Sequence, residues 1–297
     1  MALKIRKTLW QDMNVRGSAR KGAAIPTCLF FAFALTFALF GICEAGAGRT
    51  TANGGTPRES ESAFVAPSTD EISFASDVVL HVVFHELGHA LIREFDLPVL
   101  GNEETMADAF ATHILATRFP DRAVDVLTSR TQSLMIEAAE VPREEWTVFG
   151  EHNNDARRAA QIAALAVAFD ADKYRPVAEA AGLDENDVRR ATDYGTEIHR
   201  SWRRVLQPLM MPEGLDSREI RFQYDEGNEA VQAMVRSGIT SEIEAALKGI
   251  DWHSQVTVRF AEGDGGAGWS RSSRTITVNS EYIERFLRQA RVAASDR

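Results

Sequence analysis

The sequence predicts an α+β fold, mostly helical, with a small sheet supplied by its C-terminal segment. Two observations carry this. Between residues 76 and 206 the chain holds apolar stretches of helical length, bounded by capping residues and prolines. After residue 217, short runs alternate strictly between apolar and polar residues, the period of half-buried strands. At 297 residues the chain is long enough to bury a sizeable core.

Residues 1–47 read as an export segment. Lys4, Arg6, Lys7, Arg16, Arg20 and Lys21 make it basic, and Ala23 to Cys43 then runs apolar without a charge. Glu44-Ala45-Gly46-Ala47-Gly48 supplies the small residues that signal peptidase favours, with cleavage expected after Ala47. The alternative is an uncleaved anchor, because residues 23–43 are long enough to span a bilayer. Phe40-Gly41-Ile42 before Cys43 is a poor lipobox. Either route makes the rest of the chain extracytoplasmic, in the periplasm or secreted. That remainder is acidic. Residues 1–47 carry six basic and two acidic side chains, so the formal charge changes from −10 for the whole chain to −14 without them. An acidic body argues against nucleic acid or an anionic membrane surface as partner, leaving membrane association to residues 23–43. Both cysteines, Cys28 and Cys43, lie in the export segment, so a metal in the body must be held by His and carboxylate.

Residues 48–70, rich in Gly, Thr, Ser, Pro and Glu, read as a flexible tether. Residues 71–297 are expected to form one domain, with a helical part over 76–212 and a strand-rich part over 217–290. The first helix runs from about Ser76 to Phe95 and is stopped by Pro98. Asn102 can cap the second, with Glu103 and Glu104 in its first turn and Pro120 beyond its end. Further helices are expected at about 121–140, 154–170, 184–206 and 228–248, and the 154–170 helix is apolar enough to be core. Ile220–Tyr224, Val256–Phe260 and Thr275–Val278 read as strands, Glu262 to Gly268 as a glycine-rich connector, and Asn279 as the cap of a last helix through Gln289.

The chemistry concentrates in His85-Glu86-Leu87-Gly88-His89, set inside the apolar first helix. Residues four apart share a helix face, so both imidazoles can bind one Zn²⁺. Glu86, rotated by about 100°, lies beside the metal, where it can take a proton from a zinc-bound water. Catalytic zinc wants three protein ligands and an open position. Glu104 is the best third ligand, with Glu103 competing, because Asp108 lies four residues on and shares a face with Glu104. From there Asp108 can accept a hydrogen bond from the free N–H of a ligating His and fix its ring.

HExxH followed by E-x-x-x-D is the pattern of the gluzincin metallopeptidases. The longer string His85 to Ile92, then Leu97 to Gly101, Glu103-Glu104 and Ala107-Asp108, resembles the bacterial metallopeptidase-like family designated DUF4344. The resemblance continues through Glu151-His152, Asp155 and Arg158 to Tyr194 and Ser201-Trp202, and it covers most of residues 76–210. It implies a zincin-like fold, zinc held by His85, His89 and Glu104, and Glu86 as base. It also implies that His152 stabilises the oxyanion across the cleft. Paired cysteines found in members of the family are absent here. Order differs too. In zincins a small sheet precedes the HExxH helix, whereas here the strands come last, and residues 217–290 resemble the family's N-terminal half. A circularly permuted zincin is therefore expected, with a hairpin from Val256 to Val278 in the sheet beside the first helix.

Among the remaining candidates, His81 reads as a cleft-wall or core residue. Arg158 could pair with a carboxylate of the site or bind a substrate carboxyl, and reads first as a structural ion pair; Tyr194 and Trp202 read as core, and His113, His199 and His253 as structural. The reading is an exported zinc metallopeptidase acting on a peptide or protein substrate. Its rivals are a catalytically silent zincin-like binding domain and an amidase acting on cell-wall peptide.

Overall fold

The computed structural model describes residues 66–99, 101–142 and 154–295, Tyr194 in its backbone only. The export segment, the tether as far as residue 65, and His152 lie outside the described residues. The elements run α1 (Thr69–Glu94), α2 (Glu103–Arg118), α3 (Ala123–Glu140), α4 (Asp155–Val167), α5 (Arg175–Ala180) and α6 (Glu185–Leu206). Then follow β1 (Ile220–Tyr224), α7 (Glu229–Ser237), α8 (Ile239–Lys248), β2 (Val256–Ala261), β3 (Ala267–Ser270), β4 (Thr275–Asn279) and α9 (Ser280–Ser295). The protein is α+β, mostly helical, with its sheet near the C-terminus.

Helix α1 begins seven residues earlier than the sequence reading placed it. Ser68 accepts a hydrogen bond from the Glu71 N–H, and the Glu71 carboxylate accepts one from the Ser68 N–H, a reciprocal cap that starts the helix at Thr69. From Phe74 to Ile92 nearly every residue of α1 is buried, so the helix is surrounded rather than one-sided. Helices α2, α3 and α9 and strands β3 and β4 pack around it. Among the described residues no helix is long and apolar enough to cross a membrane.

The sheet has the order β1-β2-β4-β3. β1, β2 and β4 are parallel, and β3 pairs antiparallel with β4 alone. Two expectations are corrected here. The expected hairpin from Val256 to Val278 is not one, because β2 and β4 are parallel neighbours. Part of the expected glycine-rich connector is β3 itself, joined to β4 by a four-residue turn in which Arg274 takes φ 50°. The expected 228–248 helix is also divided, because Gly238 at φ 87° turns the chain between α7 and α8. The turn before β4 is tied to the end of α1 by Arg274 Nη2 and the Glu94 carboxylate at 2.7 Å.

Candidate metal centre

Gly88 sets the approach of α1 and α2. A Cβ at that position would lie 3.0 Å from the Ala107 Cα and 3.3 Å from the Phe110 ring, so any larger residue would press the two backbones apart by a few tenths of an ångström. Asn102 accepts from the Thr105 N–H and starts α2 so that its first two turns face His85 and His89.

His85, His89 and Glu104 converge, and a ligand atom from each lies within 4.8 Å of the others. His85 Nε2 is 3.1 Å from His89 Nε2 and 3.1 Å from Glu104 Oε2, while His89 Nε2 is 3.3 Å from Glu104 Oε1. A tetrahedral ion with bonds of about 2.0–2.1 Å needs ligand–ligand edges of roughly 3.3 Å, so the donor set fits one.

Behind each imidazole stands a carboxylate, and behind each carboxylate an arginine. His85 Nδ1–H donates to Asp108 Oδ1 at 2.8 Å, and Asp108 accepts from Arg158 Nε at 2.8 Å and Nη2 at 2.9 Å. His89 Nδ1–H donates to Glu103 Oε1 at 3.0 Å, and Glu103 accepts from Arg93 Nε at 3.2 Å and Nη2 at 2.6 Å. An ionised carboxylate only accepts, so both Nδ1 atoms carry protons and both Nε2 atoms are left for a metal.

Charge in the cluster is strongly coupled. Burial pushes His85 down, but Asp108 and Glu104 outweigh it and the imidazole titrates above its ordinary value. Burial also opposes protonation of His89, yet hydrogen bonds to Glu104 and Glu103 and the charge of Glu86 lift it to about 9. Burial would raise Glu104 and Asp108, but His85 and His89 hold the first far below the carboxylate range, and Arg158 and His85 the second. With Glu103 paired to Arg93 and Asp108 to Arg158, Glu86 and Glu104 leave two negative charges facing the histidines. A divalent cation would balance them and displace a proton from His89.

The cluster opens onto a groove of about 580 Å³. His85, Glu86 and His89 form one wall, Asn102 to Glu104 a second, and Ala267-Gly268-Trp269 of β3 a third. The edge strand of the C-terminal sheet thus lies across the groove from Glu86.

The comparisons with known proteins bear on the helical part. The family model described as "DUF4344: Putative metallopeptidase" matches residues 53–206, just over half of the chain. The chain belongs to the DUF4344 family. No curated protein and no solved structure matches it. The DUF4344 match spans α1 to α6 and ends before β1, so the sheet beside the groove lies beyond it.

The structure brings together five of the six expected site residues, His85, Glu86, His89, Glu104 and Asp108. His81 is fully buried one turn before His85. Arg158 is the ion-pair partner of Asp108, and Trp202 packs in the core against Phe110 with ring centroids 5.4 Å apart. His113 and His199, buried far along α2 and α6, bond each other through Nδ1 atoms 3.2 Å apart. The exposed His253 packs against Phe95 with the rings tilted by 50°. Sequence reasoning missed the Arg93–Glu103 support, the β3 edge and the buried Arg130. A signal for Arg130 exists. Val126, Leu127, Thr131 and Leu134 mark the inward stripe of α3, and Arg130 lies on it.

Proposed function

We propose that this protein is an exported, zinc-dependent hydrolase of peptide bonds with a zincin-like, gluzincin-type centre. His85, His89 and Glu104 hold the metal, and Glu86 is the general base. The observation that carries the reading is the convergence of three ligand atoms in an open groove that also presents the Glu86 carboxylate. Two imidazoles and one carboxylate suit zinc, whereas calcium and magnesium prefer oxygen donors throughout. When bound, zinc lowers the pKa of water towards neutrality and polarises a carbonyl oxygen.

The remaining work falls to the chain. Among the described residues β3 pairs with β4 alone, so a peptide laid along its open side gains main-chain hydrogen bonds and is drawn across the groove. Glu86 takes a proton from the attacking water on its carboxylate and gives it to the leaving amine nitrogen as the C–N bond breaks. Asp108 and Glu103 hold the two rings in orientation.

The same reading makes the domain a circularly permuted zincin. α9 packs on α1, and Arg291 near its end donates to Glu71 at the start of α1 at 2.7 Å, so the two chain ends of the body lie side by side. Residues 1–47 carry the body out of the cytoplasm, as a cleaved signal or through an anchor at 23–43.

Metal analysis of the purified protein and digestion of a peptide library, beside Glu86→Gln, test the reading. Zinc near one per chain with cleavage lost in the variant is expected. Zinc bound by both proteins with no cleavage by either would overturn it in favour of a silent binding domain. Cleavage confined to cell-wall peptide amides would make it an amidase.

A further inference from the structure

A second, deeper cavity of about 220 Å³ adjoins the groove. It shares His85, Glu86 and Ala267 with the groove and adds His81, Arg130, Tyr282 and the Asp108-paired Arg158. Arg130 is 2% exposed, and its Nε and Nη1 have no hydrogen-bond acceptor among the described residues. Both ring nitrogens of the fully buried His81 are likewise without a partner. Burial holds this imidazole well below its ordinary value, so it is neutral and has one N–H to donate. Burial pushes the Tyr282 phenol up, so it too keeps its proton.

A buried guanidinium with unmet donors is costly, and each such group in a native protein calls for an explanation. The nearby carboxylates do not provide one. Asp108 is taken by Arg158, Glu137 bonds Gln289 and Arg285, and Asp155 attracts Arg130 without a hydrogen bond to it among the described residues. Arg130 therefore keeps two buried donors for an anion in the cavity beside the groove. Its cavity has room for a carboxylate and a methylene or two, and it opens where a peptide along β3 would be cut.

Resting on the peptidase reading, we propose that Arg130 determines specificity by receiving a substrate carboxylate, with His81 and Tyr282 as further donors. The substrates are then peptides with Asp or Glu flanking the scissile bond, or with a free C-terminal carboxylate one residue from it. Both present the same anion to the same donors, and the products are shorter acidic peptides or a released amino acid.

Matched peptides separate the two sources. One pair differs as Glu against Gln beside the cleavage site, and the other as C-terminal carboxylate against carboxamide. For the zinc-loaded protein, kcat/KM is expected to favour the charged member of one pair by roughly 100-fold, because a site built around an ionic hydrogen bond rejects the analogue lacking it. In Arg130→Met that ratio falls to near one whatever the absolute rate, and in Arg130→Lys it lies between. A wild-type ratio of one in both pairs, or a ratio that survives Arg130→Met, overturns the proposal while leaving the peptidase reading standing. If Arg130→Met does not fold, the reduced ratio in Arg130→Lys decides. If the zinc-loaded protein cuts no peptide, the peptidase reading fails, and thermal stabilisation by N-acetylglutamate over N-acetylglutamine amide, which carries no carboxylate, still reads the cavity. Stabilisation by the charged compound that disappears in the Arg130 variants upholds carboxylate capture, and equal effects of both compounds defeat it.

Discussion

Asp108 and Glu103 do the same task for His85 and His89, but one is sealed in the protein and the other is not. That difference predicts different penalties. Asp108→Asn leaves Arg158 buried without its counter-ion and is expected to destabilise the metal-free protein by about 3–5 kcal/mol in chemical denaturation. Glu103→Gln faces the half-exposed Arg93, so the same measurement is expected to change by less than about 1 kcal/mol. Both variants are expected to bind zinc some 10- to 100-fold more weakly in chelator competition, since each loosens an imidazole. Equal stability losses for the two would contradict this account. The His113–His199 pair carries a pH prediction. Burial, first, and the neighbouring His199 and Arg203 hold His113 at about 4, below the ordinary imidazole value of 6.5. A His kept neutral by the fold contributes stability that is present above pH 6.5 and is lost as pH falls towards 4. Asp77 acts in the opposite sense. Burial, opposed by Arg122, raises its carboxyl from 3.8 to about 6, so its contribution improves as pH falls through that window. The wild-type curve therefore mixes two signs. The difference between wild type and His113→Gln, followed by thermal unfolding in chelator from pH 7 to 4, is expected to shrink steadily towards acid, and a flat difference would count against it.

The approach of α1 to α2 is what joins residues 19 apart in sequence into one ligand set, and Gly88 controls that approach. Gly88→Val is expected to force the helices apart, since even a Cβ meets the Ala107 backbone at 3.0 Å. Overpacking of this kind destabilises by about 1–3 kcal/mol. Zinc affinity should fall by more than 100-fold, because Glu104 moves with α2 while both histidines stay with α1. Calorimetric titration with zinc checks this, and near-native affinity would show that the helices tolerate separation. Elements governed by local chemistry were legible in the sequence: the Asn102 cap of α2, the apolar run of α1 and the alternation of β1, β2 and β4. Glu104 and Asp108 could be picked out because helical spacing alone places them on one face. β3 was not legible, because Ala267-Gly268-Trp269-Ser270 has no β-branched residue and no clear alternation, and only pairing with β4 makes it a strand. Arg93 and Arg130 escaped for a related reason. A charged side chain on a helix normally serves only water, and what gives these two a structural place is a partner for Arg93 and a cavity for Arg130, each supplied by another element.

At the scale of the whole molecule, the strand-rich part packs beside α1, although 125 residues separate the end of α1 from β1. Ser68 and Ala294 line one surface hollow, and Arg291 reaches Glu71, so the body's two ends can be joined. A rearranged chain that runs 215–295, a linker of about six residues, then 66–214, would restore the order sheet before helix. Its new ends fall in an exposed loop, where Gly214 takes φ 81° and Leu215 is 58% exposed. This chain is expected to show the same far-ultraviolet circular dichroism and the same zinc stoichiometry as the original; loss of either would argue against permutation. Chain order also sets a clock. His85, His89 and Glu104 have all been made by residue 104, whereas β3 begins at Ala267. At about 5–20 residues per second, synthesis delivers the strand roughly 8–30 s after the last ligand. A growing chain halted at residue 255 therefore carries His85, His89 and Glu104 but none of β3, so the groove lacks its third wall until that strand is made.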